Sequence, residues 1–599
     1  MTDDFTDEQK QYLHGFAAGS GLSSRLSSVP TFARTLGLAP ASTGPRPIEQ
    51  ICYDAQDATT SAGGKLTNEE QAKRKRFPLN QWDDIVRHSR ENVPPKGTDV
   101  LAFKYFGLFW VAPAQDSFMS RLRFAGGIVK AYQFRGVADL ARRFGGGYSD
   151  VTTRANLQVR QIEPKNGQAF LEGLYELGIV NKGSGADNVR NITASPLAGI
   201  DPDELYDTRE LAKQLNHHIL NHRELFGLPR KFNIALDGGG RISALEDTND
   251  IGLSAIRFSG TKAHGAVVGL DAQVGFRLAL GGITGHKDFA RDTGIVVLPD
   301  EVVNVCTAIL KAFIEHGDRT DRKKARLKYV LERLGFGGFL SEVEKHYGQP
   351  LRRVPSEQIV PHTPAVQKHG HVGWRDQAQP GLQYAGVVLP VGRLSSEQME
   401  RIASIAERYG SGMIRLTVWQ NLILSDIRPT DREAVERELA EIGLTTDATS
   451  VRAGLVACTG NAGCKFANAN TKKHAMEIAG HLERVLALDE PVNIHVTGCP
   501  NSCAQHYIGD IGLLGTKVPV GDDMVEGYHV YVGGGYGDDR AIGRELVRNV
   551  VATDAPDVLA RLLGGFLSQR MSGESFNAFV RRHEIVQLQS LLNPTEVPA

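Results

Sequence analysis

The chain has 599 residues, of which 41% are hydrophobic and 23% charged, and this globular composition excludes a largely disordered chain. Its 68 Lys and Arg against 69 Asp and Glu give a formal net charge of -1, which excludes the global basic field of a nucleic-acid-binding protein. There is no run of 18 apolar residues and no basic or apolar leader at the acidic N-terminus, so we expect no membrane span and a cytoplasmic location.

Residues 1–95 have the character of an N-terminal extension. They include a Ser/Thr/Pro/Gly-rich stretch near residues 38–64, and residues 10–26 have a helical pattern. A basic run at residues 73–76 is open to two interpretations, a solvated surface or a docking site.

An internal repeat organises the rest of the chain. Matched blocks follow one another in the same order at nearly one offset: 150–158 with 415–423 at 265 residues, 232–234 with 492–494 at 260, and 250–253 with 510–513 at 260. Such an arrangement predicts two related halves, 96–350 and 360–599.

Each half begins with a strand, a helix and another strand. In the first half we predict a helix around residues 137–147 and a strand at 150–162. In the second half, Ser395 and Gln398 predict a capping box, and the helix that follows should end before Gly410. Residues 413–424 predict the next strand. Helices mixed with strands indicate α+β units.

Four of the six cysteines lie close together in sequence, whereas Cys52 and Cys306 stand alone. The clustered cysteines are Cys458, Cys464, Cys499 and Cys503. Six cysteines are too few for a disulfide scaffold, and the spacing C-x5-C then C-x3-C fits zinc poorly. Four thiolates suit an iron–sulfur cluster. The adjacent glycines let the backbone approach inorganic sulfide, which simple burial of four cysteines would not require.

The two cysteine boxes, residues 458–464 and 497–503, resemble those of the sirohaem-containing nitrite and sulfite reductases. The repeat resembles the duplicated architecture of the same family. The resemblance covers about residues 96–599 and implies one [4Fe-4S] cluster on the four clustered cysteines. It also implies that Cys503 bridges the cluster to the sirohaem iron and that Asn501 contacts the cofactor.

The resemblance implies an α+β fold of two pseudo-symmetric halves, each a ferredoxin-like subdomain plus a mixed α/β lobe that holds sirohaem and cluster. The expected divisions are an N-terminal extension (1–95), ferredoxin-like half-domain 1 (96–165), sirohaem lobe 1 (166–350), ferredoxin-like half-domain 2 (360–440) and cluster and sirohaem lobe 2 (441–599).

The strand at 150–162 provides a polar face for the carboxylates of sirohaem. Because side chains alternate along a strand, one face carries Thr152, Arg154, Asn156, Gln158 and Arg160. The resemblance implies that this face contacts the cofactor, as does the neighbouring Thr153. A solvated face usually has charges of both signs, and this one has only cations. The second half has Trp419 and no arginine at the matching strand, so one half alone should keep a full carboxylate cradle. The charged run at 319–328 is open to two interpretations, further cations for these carboxylates or a solvated helix face.

Three cations resemble the family's substrate contacts: Arg121, Arg190 and Lys231. Asn233 should lie on the same strand face as Lys231. Sulfite reductases of the family tend to have a second lysine at that position, and sulfite, a dianion near neutral pH, gains more from it than nitrite does. Some members that reduce sulfite also carry a tyrosine–cysteine pair, at positions aligned with Val93 and Gly185 here. Both departures favour nitrite over sulfite.

No G-x-G-x-x-G joins a strand to a helix, and the glycines at 533–537 do not fit that spacing. Electrons should therefore come from a separate protein. The resemblance implies acidic ferredoxin, docking on a basic surface of a monomer. The interpretation is an assimilatory reductase that converts nitrite to ammonia. The alternatives are a ferredoxin-dependent sulfite reductase, a non-reductive relative from cobalamin synthesis, and a non-catalytic iron–sulfur protein.

Overall fold

The structure, a computed structural model, describes residues 48–259, 272–362, 364 and 367–593. It begins with four helices: α1 (Gln50–Ser61), α2 (Asn68–Lys75), α3 (Trp82–Glu91) and α4 (Asp99–Tyr105). The helix predicted at residues 10–26 lies outside the described residues. In the described part of the chain, no helix has both the length and the apolar character needed to cross a membrane.

The four helices are integrated into the fold. Cys52 of α1, Ile85 of α3 and Phe103 of α4 are all buried in hydrophobic cores that they share with later elements. Lys73 of α2 is fully buried, so a solvated surface is the wrong interpretation for this member of the basic run. The next three residues, 74–76, are exposed.

The first half of the repeat opens with β1 (Leu108–Trp110), β2 (Phe118–Arg121), β3 (Ile128–Lys130), α5 (Ala131–Phe144), β4 (Tyr148–Thr152), β5 (Asn156–Ile162) and α6 (Gly167–Glu176). The prediction of one strand over 150–162 is wrong, because β4 and β5 form a hairpin in which Thr152 faces Asn156. Ala155 adopts φ 45° in the turn. Neither Gly nor Pro marks this turn, so the alternating pattern alone did not predict it.

A larger sheet and its helices complete the first half: β6 (Thr193–Ala194), α7 (Arg209–Asn221), β7 (Ile234–Asp237), β8 (Ile251–Ser259), β9 (Ala272–Leu280), β10 (Arg291–Val297), α8 (Val302–His316), α9 (Leu327–Tyr347) and β11 (Ile359–Val360). The strand order is β10-β9-β8-β7-β6, and β11 pairs with β8. β6, β7 and β8 are parallel, whereas β9 and β10 are antiparallel to their neighbours. Side chains such as Leu215 and Phe313 pack the helices on this sheet.

The second half repeats the small unit with β12 (Gly373–Asp376), β13 (Gln383–Val387), β14 (Arg393–Ser395), α10 (Ser396–Tyr409), β15 (Met413–Leu416), β16 (Leu422–Ile427) and α11 (Arg432–Glu441). The capping box is confirmed: Gln398 N–H donates to Ser395 Oγ (3.1 Å) and Ser395 N–H to Gln398 Oε1 (2.9 Å). The single strand predicted at 413–424 is wrong, since β15 and β16 form another hairpin. Gly410 follows the helix because a Cβ there would lie 2.4 Å from Ser425 O.

A second large sheet closes the chain with β17 (Leu455–Ala457), α12 (Thr471–Val485), β18 (Ile494–Thr497), β19 (Ile511–Val520), β20 (Asp523–Val532), β21 (Arg544–Val551), α13 (Ala555–Gln569), α14 (Phe576–Arg582) and α15 (Ile585–Ser590). Its order, β17-β18-β19-β20-β21, has the same pattern of parallel and antiparallel pairs as the first large sheet. Ile234 faces Ile251 in the first sheet, and Ile494 faces Ile511 in the second, so the register repeats as well.

The two small sheets exchange strands. β3 of the first half pairs with β15 of the second, while β14 of the second half pairs with β4 of the first. α5 packs against α10, and their side chains, including Phe134 and Met399, lie in one shared core. The two halves are therefore joined around a pseudo-twofold axis.

Candidate active site

The four clustered cysteines lie on two loops at one edge of the second large sheet. Cys458 follows β17, and both Cys499 and Cys503 follow β18; because these strands are parallel, the loops leave the same edge. Cys458 N–H donates to Val496 O (3.0 Å), and Gly498 N–H donates to Cys458 Sγ (3.2 Å). The two cysteine boxes are thus hydrogen-bonded to each other.

The four thiols share one electrostatic environment. Burial raises the pKa of Cys499 to about 11, and negative charge on Cys503, Cys464 and Cys458 raises it too. Asn501 Nδ2 lies 3.6 Å from Cys499 Sγ, as a donor to the sulfur. Among the described residues, no group of three or more His, Cys, Asp or Glu is arranged to hold a metal ion. Four thiolates are the ligand set of an iron–sulfur cluster.

Two glycines allow the cysteine loops to close on each other. A Cβ at Gly498 would lie 2.6 Å from Ala467 Cβ. Gly460 has φ +70°, and a Cβ there would lie 2.6 Å from Thr471 N. Only glycine fits both positions without displacing the neighbouring loop.

The β4–β5 hairpin contains the residues predicted to contact the cofactor. Cross-strand partners point to the same side of a sheet, so Thr152 with Asn156, and Asp150 with Gln158, lie on one face. Because the chain folds back, this face gains an acid, and Asp150 lies 3.3 Å from Arg160. Arg160 Nη2 also donates to Gln158 Oε1 (2.8 Å). The expectation of a purely cationic face is therefore wrong at this end of the hairpin.

The hairpin is anchored on the cysteine loops. Arg160 is buried and donates to Gly463 O (3.0 Å) and Thr459 Oγ1 (2.7 Å), both in the first cysteine box. Thr153 Oγ1 donates to Cys503 O (2.9 Å) in the second. Arg160 and Thr153 therefore hold the protein around the candidate cluster.

Arg154, in the turn of the hairpin, points toward the first large sheet. Its guanidinium donates to Asn249 Oδ1 (2.7 Å) and Asn191 O (2.6 Å). Asn156 Nδ2 donates to Leu122 O (2.5 Å). Within the described chain, Arg154 Nε and Asn156 Oδ1 are buried without a hydrogen-bond partner. Buried polar atoms are rarely left unpaired, so these atoms indicate a place for a polar ligand.

Two short segments bring the predicted anion-binding residues together. Val189 and Phe232 form a parallel bridge, and Arg190 N–H donates to Phe232 O (2.8 Å). Val189 and Phe232 are buried in an apolar core. Backbone alternation therefore turns Arg190, Lys231 and Asn233 to the opposite side of these segments.

The three predicted cations form a half-buried cluster, in which Arg121 and Lys231 also feel the charge of Cys503. Burial lowers the pKa of Lys231 to about 7, and Arg326 and Arg190 also lower it, whereas Cys503 opposes the shift. Burial lowers the pKa of Arg121 to about 10, again against the effect of Cys503. The pKa of Arg190 is well below its usual range because of burial and the charge of Arg121. Such mutual repulsion is relieved when an anion binds among them.

The three cations differ in how they are held. Arg190 donates to Ser184 O (2.6 Å) and Ala186 O (2.8 Å), and Arg121 donates to Ser184 O (3.4 Å). Arg121 also lies over the Phe109 ring, 4.5 Å from its centroid. Across the described residues, Lys231 has no hydrogen bond or ion pair. Its ammonium group is thus available to a ligand, while the two guanidinium groups are fixed by the protein.

Asn233 is held through its backbone. Its N–H donates to Asp250 Oδ2 (2.8 Å), and Asp250 forms a buried ion pair with Arg326 (2.7 Å). Asn493 N–H donates to Asp510 Oδ2 at the same distance, 2.8 Å, in the second half. This bond explains the repeated block at 250–253 and 510–513. Asn233 Oδ1 is buried and, within the described chain, has no partner.

A cysteine would not fit at position 185. A Cβ on Gly185 would lie 2.3 Å from Lys104 O and 2.6 Å from Phe109 Cζ. Val93 follows α3 and is 36% exposed. Neither residue offers the side chain of a tyrosine–cysteine pair.

The corresponding space in the second half is filled by rings. Trp419, 265 residues after Arg154, is 2% exposed. Its ring centroid lies 4.7 Å from that of Tyr536, 5.6 Å from His371 and 6.2 Å from His495. Aromatic rings thus occupy the position that cations occupy in the first half. This explains why the second half has Trp419 where the first half has Arg154.

The run at 319–328 contributes ion pairs to the interior, so its interpretation as a solvated helix face is wrong for Arg319, Arg322 and Arg326. Residues 320, 323 and 324 are exposed. α9 begins only at Leu327. Arg322 pairs with Asp187 (2.7 Å), and Arg326 pairs with Asp250. Sequence reasoning missed these two carboxylates, although the repeated block at 250–253 marked one of them.

Two family models match the chain, each of them twice. The Nitrite/Sulfite reductase ferredoxin-like half domain matches residues 112–177 and 375–442, and the Nitrite and sulphite reductase 4Fe-4S domain matches 185–351 and 449–591. The chain therefore belongs to the nitrite and sulphite reductase family of oxidoreductases. The resemblance found in the sequence and the predicted α+β fold of two related halves are confirmed.

Several relatives cover most of the chain. It is 37% identical to the ferredoxin–nitrite reductase of Synechococcus elongatus, over 84% of this chain and 97% of the relative. It is 35% identical to the chloroplastic ferredoxin–nitrite reductase of Zea mays, over 82% and 84%. The solved structure of the Mycobacterium tuberculosis NirA protein superposes with a TM-score of 0.79 at 28% identity, covering 88% of this chain and 99% of that one.

Proposed function

We propose that the protein is an assimilatory ferredoxin-dependent nitrite reductase that converts nitrite to ammonia in six electrons. The observation that carries this proposal is the cluster of cations beside Cys503: Arg121 and Lys231 interact with Cys503, and Arg190 interacts with both of these cations. The names of the relatives, ferredoxin–nitrite reductases, support both the substrate and the electron donor. We expect the protein to act as a monomer.

The residues of the site fit one [4Fe-4S] cluster and one sirohaem. The cluster would be held by the four clustered cysteines, with Cys503 shared between cluster and sirohaem. The carboxylates of sirohaem would meet Arg154, whose Nε is unpaired among the described residues, and the surrounding cations. When bound, the two groups would relay electrons from the donor protein and supply the metal centre for reduction.

The protein's own side chains bind and orient the anion. Arg121 and Arg190 are preorganised by their bonds to backbone carbonyls, so their charges face the pocket before the substrate arrives. Asn233 adds a neutral amide, and this suits a monoanion better than a dianion. The balance of charge in the pocket therefore favours nitrite.

Lys231 is suited to supply protons. Its pKa of about 7 lets the ammonium lose and regain a proton near neutral pH. Because its ammonium makes no hydrogen bond within the described chain, it can contact the substrate directly. Water molecules would restore the proton after each transfer.

The proposal is tested by cofactor content and substrate preference of the purified protein. We expect iron, acid-labile sulfide and an absorption spectrum of sirohaem that changes when nitrite is added. With a reduced dye as donor, kcat/KM for nitrite should exceed that for sulfite. Preference for sulfite would establish the sulfite reductase alternative. Stoichiometric zinc, or the absence of both sulfide and sirohaem, would exclude the whole assignment.

A further inference from the structure

Lys73 of α2 contacts both segments that carry the anion-binding residues. Its side chain is fully buried. Lys73 Nζ donates to Leu228 O (2.8 Å) and lies 3.1 Å from Asp187 Oδ2. Leu228 precedes Lys231 by three positions, and Asp187 precedes Arg190 by three. One ammonium group therefore joins the two segments close to their functional residues.

Lys73 is itself held in place by α1, α2 and the loop before α9. Glu70 Oε1 lies 2.5 Å from Lys73 Nζ. The other oxygen of Glu70 pairs with buried Arg319 and accepts from Gln56 Nε2 (2.9 Å). Each buried charge in this group has an opposite partner, which is the condition under which buried ion pairs are tolerated.

Segments 187–190 and 228–231 need a contact that holds them together, because their positive charges repel one another. The charge of Arg190 lowers the pKa of Lys231, and the charge of Arg230 lowers the pKa of both residues. The backbone bonds between the segments include Arg190 N–H to Phe232 O (2.8 Å) and Phe232 N–H to Asn188 O (3.0 Å). Such a short bridge would open readily without further support.

The negative charge of Asp187 favours the charged forms of Arg190 and Arg230. Its carboxylate is engaged by Lys73 and by Arg322, 2.7 Å away. A carboxylate released from these partners would pair with Arg190 and compete with the substrate anion.

We propose that Lys73 is a positioning residue for anion binding: it ties segment 228–231 to segment 187–190 and keeps Asp187 turned away from Arg190. The identity of the anion rests on the proposed function, whereas the fastening of the two segments does not. Residue 73 lies before the stretches that the family models match.

The test compares Lys73→Met with the wild-type holoenzyme. We expect KM for nitrite to rise about tenfold while kcat changes less than about threefold, which is the pattern of lost ground-state binding. Amide hydrogen exchange should accelerate in residues 188–191 and 230–233. Lys75→Met is the matched control, since Lys75 is an exposed lysine on the same helix. It should leave KM and exchange unchanged.

Two further variants separate positioning from general stability. Lys73→Met/Asp187→Asn also removes the carboxylate that would compete with the substrate, so it should recover part of the loss in KM. Exchange in the two segments should stay fast, because the bond from residue 73 to Leu228 O is still missing. Arg322→Gln releases the same carboxylate from a half-buried partner and should raise KM in the same direction. If Lys73→Met fails to fold, this variant decides the question.

The proposal would be overturned if Lys73→Met had the same KM and the same amide exchange rates as the wild type. If Lys73→Met does not fold, the same result in Arg322→Gln would overturn it. A double variant no better than Lys73→Met would also overturn it. Failure of the proposed function has a different signature. The wild type would then not reduce nitrite, yet faster exchange in Lys73→Met would still support the fastening.

Discussion

At the scale of single residues, we expect the choice between nitrite and sulfite to depend on Asn233. Asn233→Lys adds a cation beside Lys231 and should shift the ratio of kcat/KM toward the dianion sulfite. A close charge pair at an effective dielectric near 20 is worth up to about 4 kcal/mol before desolvation. We expect a net bias of about 1–2 kcal/mol, or roughly five- to thirtyfold, since about 1.4 kcal/mol is tenfold. Steady-state rates with both anions measure this ratio.

The matched control is Asn233→Gln, which keeps the amide and adds no charge. It should change both rates together and leave the ratio near that of the wild type. An unchanged ratio in Asn233→Lys would remove this residue from the discrimination between the two anions.

A second prediction concerns the pH dependence that Lys231 imposes. Its pKa is lowered to about 7, so the cationic form that attracts nitrite is lost as pH rises through that value. kcat/KM should then fall about tenfold per pH unit above the pKa. Carboxylates of a bound sirohaem favour the charged lysine and move this limb upward. Lys231→Met should have a lower kcat/KM without this limb; the same limb in the variant would assign it to another group.

At this scale the sequence indicated which residues are candidates for the site, but it did not indicate which residues contact them. The three cations proposed to bind the anion could be named from local motifs, because each lies within its own matching block. Lys73 could not, since its ion-pair partner Asp187 and its carbonyl partner Leu228 are distant in sequence. A basic run seen alone is typical of a surface, and only the folded chain shows that one of its members is buried.

At the scale of elements, we expect the two cysteine loops to form one cofactor site that depends on all four thiols. Cys458→Ser should lose acid-labile sulfide and the sirohaem absorption together, because Cys503 is proposed to join the two groups. Cys306→Ala is the control: Cys306 is buried in a separate apolar core, so we expect full cofactor content and a small loss of stability. Iron and sulfide analysis distinguishes the two results. A cluster retained in Cys458→Ser would contradict this ligand assignment.

The hairpins show why element boundaries were the least predictable feature. Alternation along 150–162 is real, but it continues across a turn because residues opposite each other in a hairpin point to the same side. Ala155 and Gln420 adopt φ 45° and 59° at matching places in the two halves. Neither residue type marks a turn, so the sequence predicted the correct face with the wrong path of the chain.

At the scale of the whole molecule, we expect electrons to enter over the exposed side of the first cysteine box. Phe466, two residues after Cys464, is 61% exposed, and the Lys465 ammonium lies 5.4 Å from its ring centroid. An acidic ferredoxin should dock there through charges that are screened over about 10 Å at 0.1 M salt. Turnover with ferredoxin should fall as salt rises, while turnover with a small dye should fall less.

Lys465→Glu should raise KM for ferredoxin and leave the dye-driven rate unchanged. Lys345→Glu makes the same charge change on α9, where Lys345 pairs with Glu342, and serves as the control. Reduction driven by NADPH with the purified chain alone, or equal effects of the two variants, would contradict this route of electron entry.

The internal repeat predicted the duplicated architecture but not how the halves are joined. The same offset that relates Thr152 to Thr417 also relates β3 to β14. Nothing in either segment shows that each pairs with the opposite half. Both strand pairings use ordinary backbone hydrogen bonds, which do not depend on particular side chains. The strand exchange between the halves can therefore be seen only in the folded chain.

The exchange of β3 and β14 also means that β4 is synthesised well before the strand that pairs with its edge. The ribosome completes β4 about 240 residues before β14, the strand that covers its edge. At about 5–20 residues per second, this interval lasts roughly 12–50 s. During that time the edge of the nascent sheet presents unpaired N–H and C=O groups. A chain whose synthesis stops before residue 393 is therefore released with the edge of β4 unpaired. Such an edge can pair with other chains, and cellular quality control would have to recognise it.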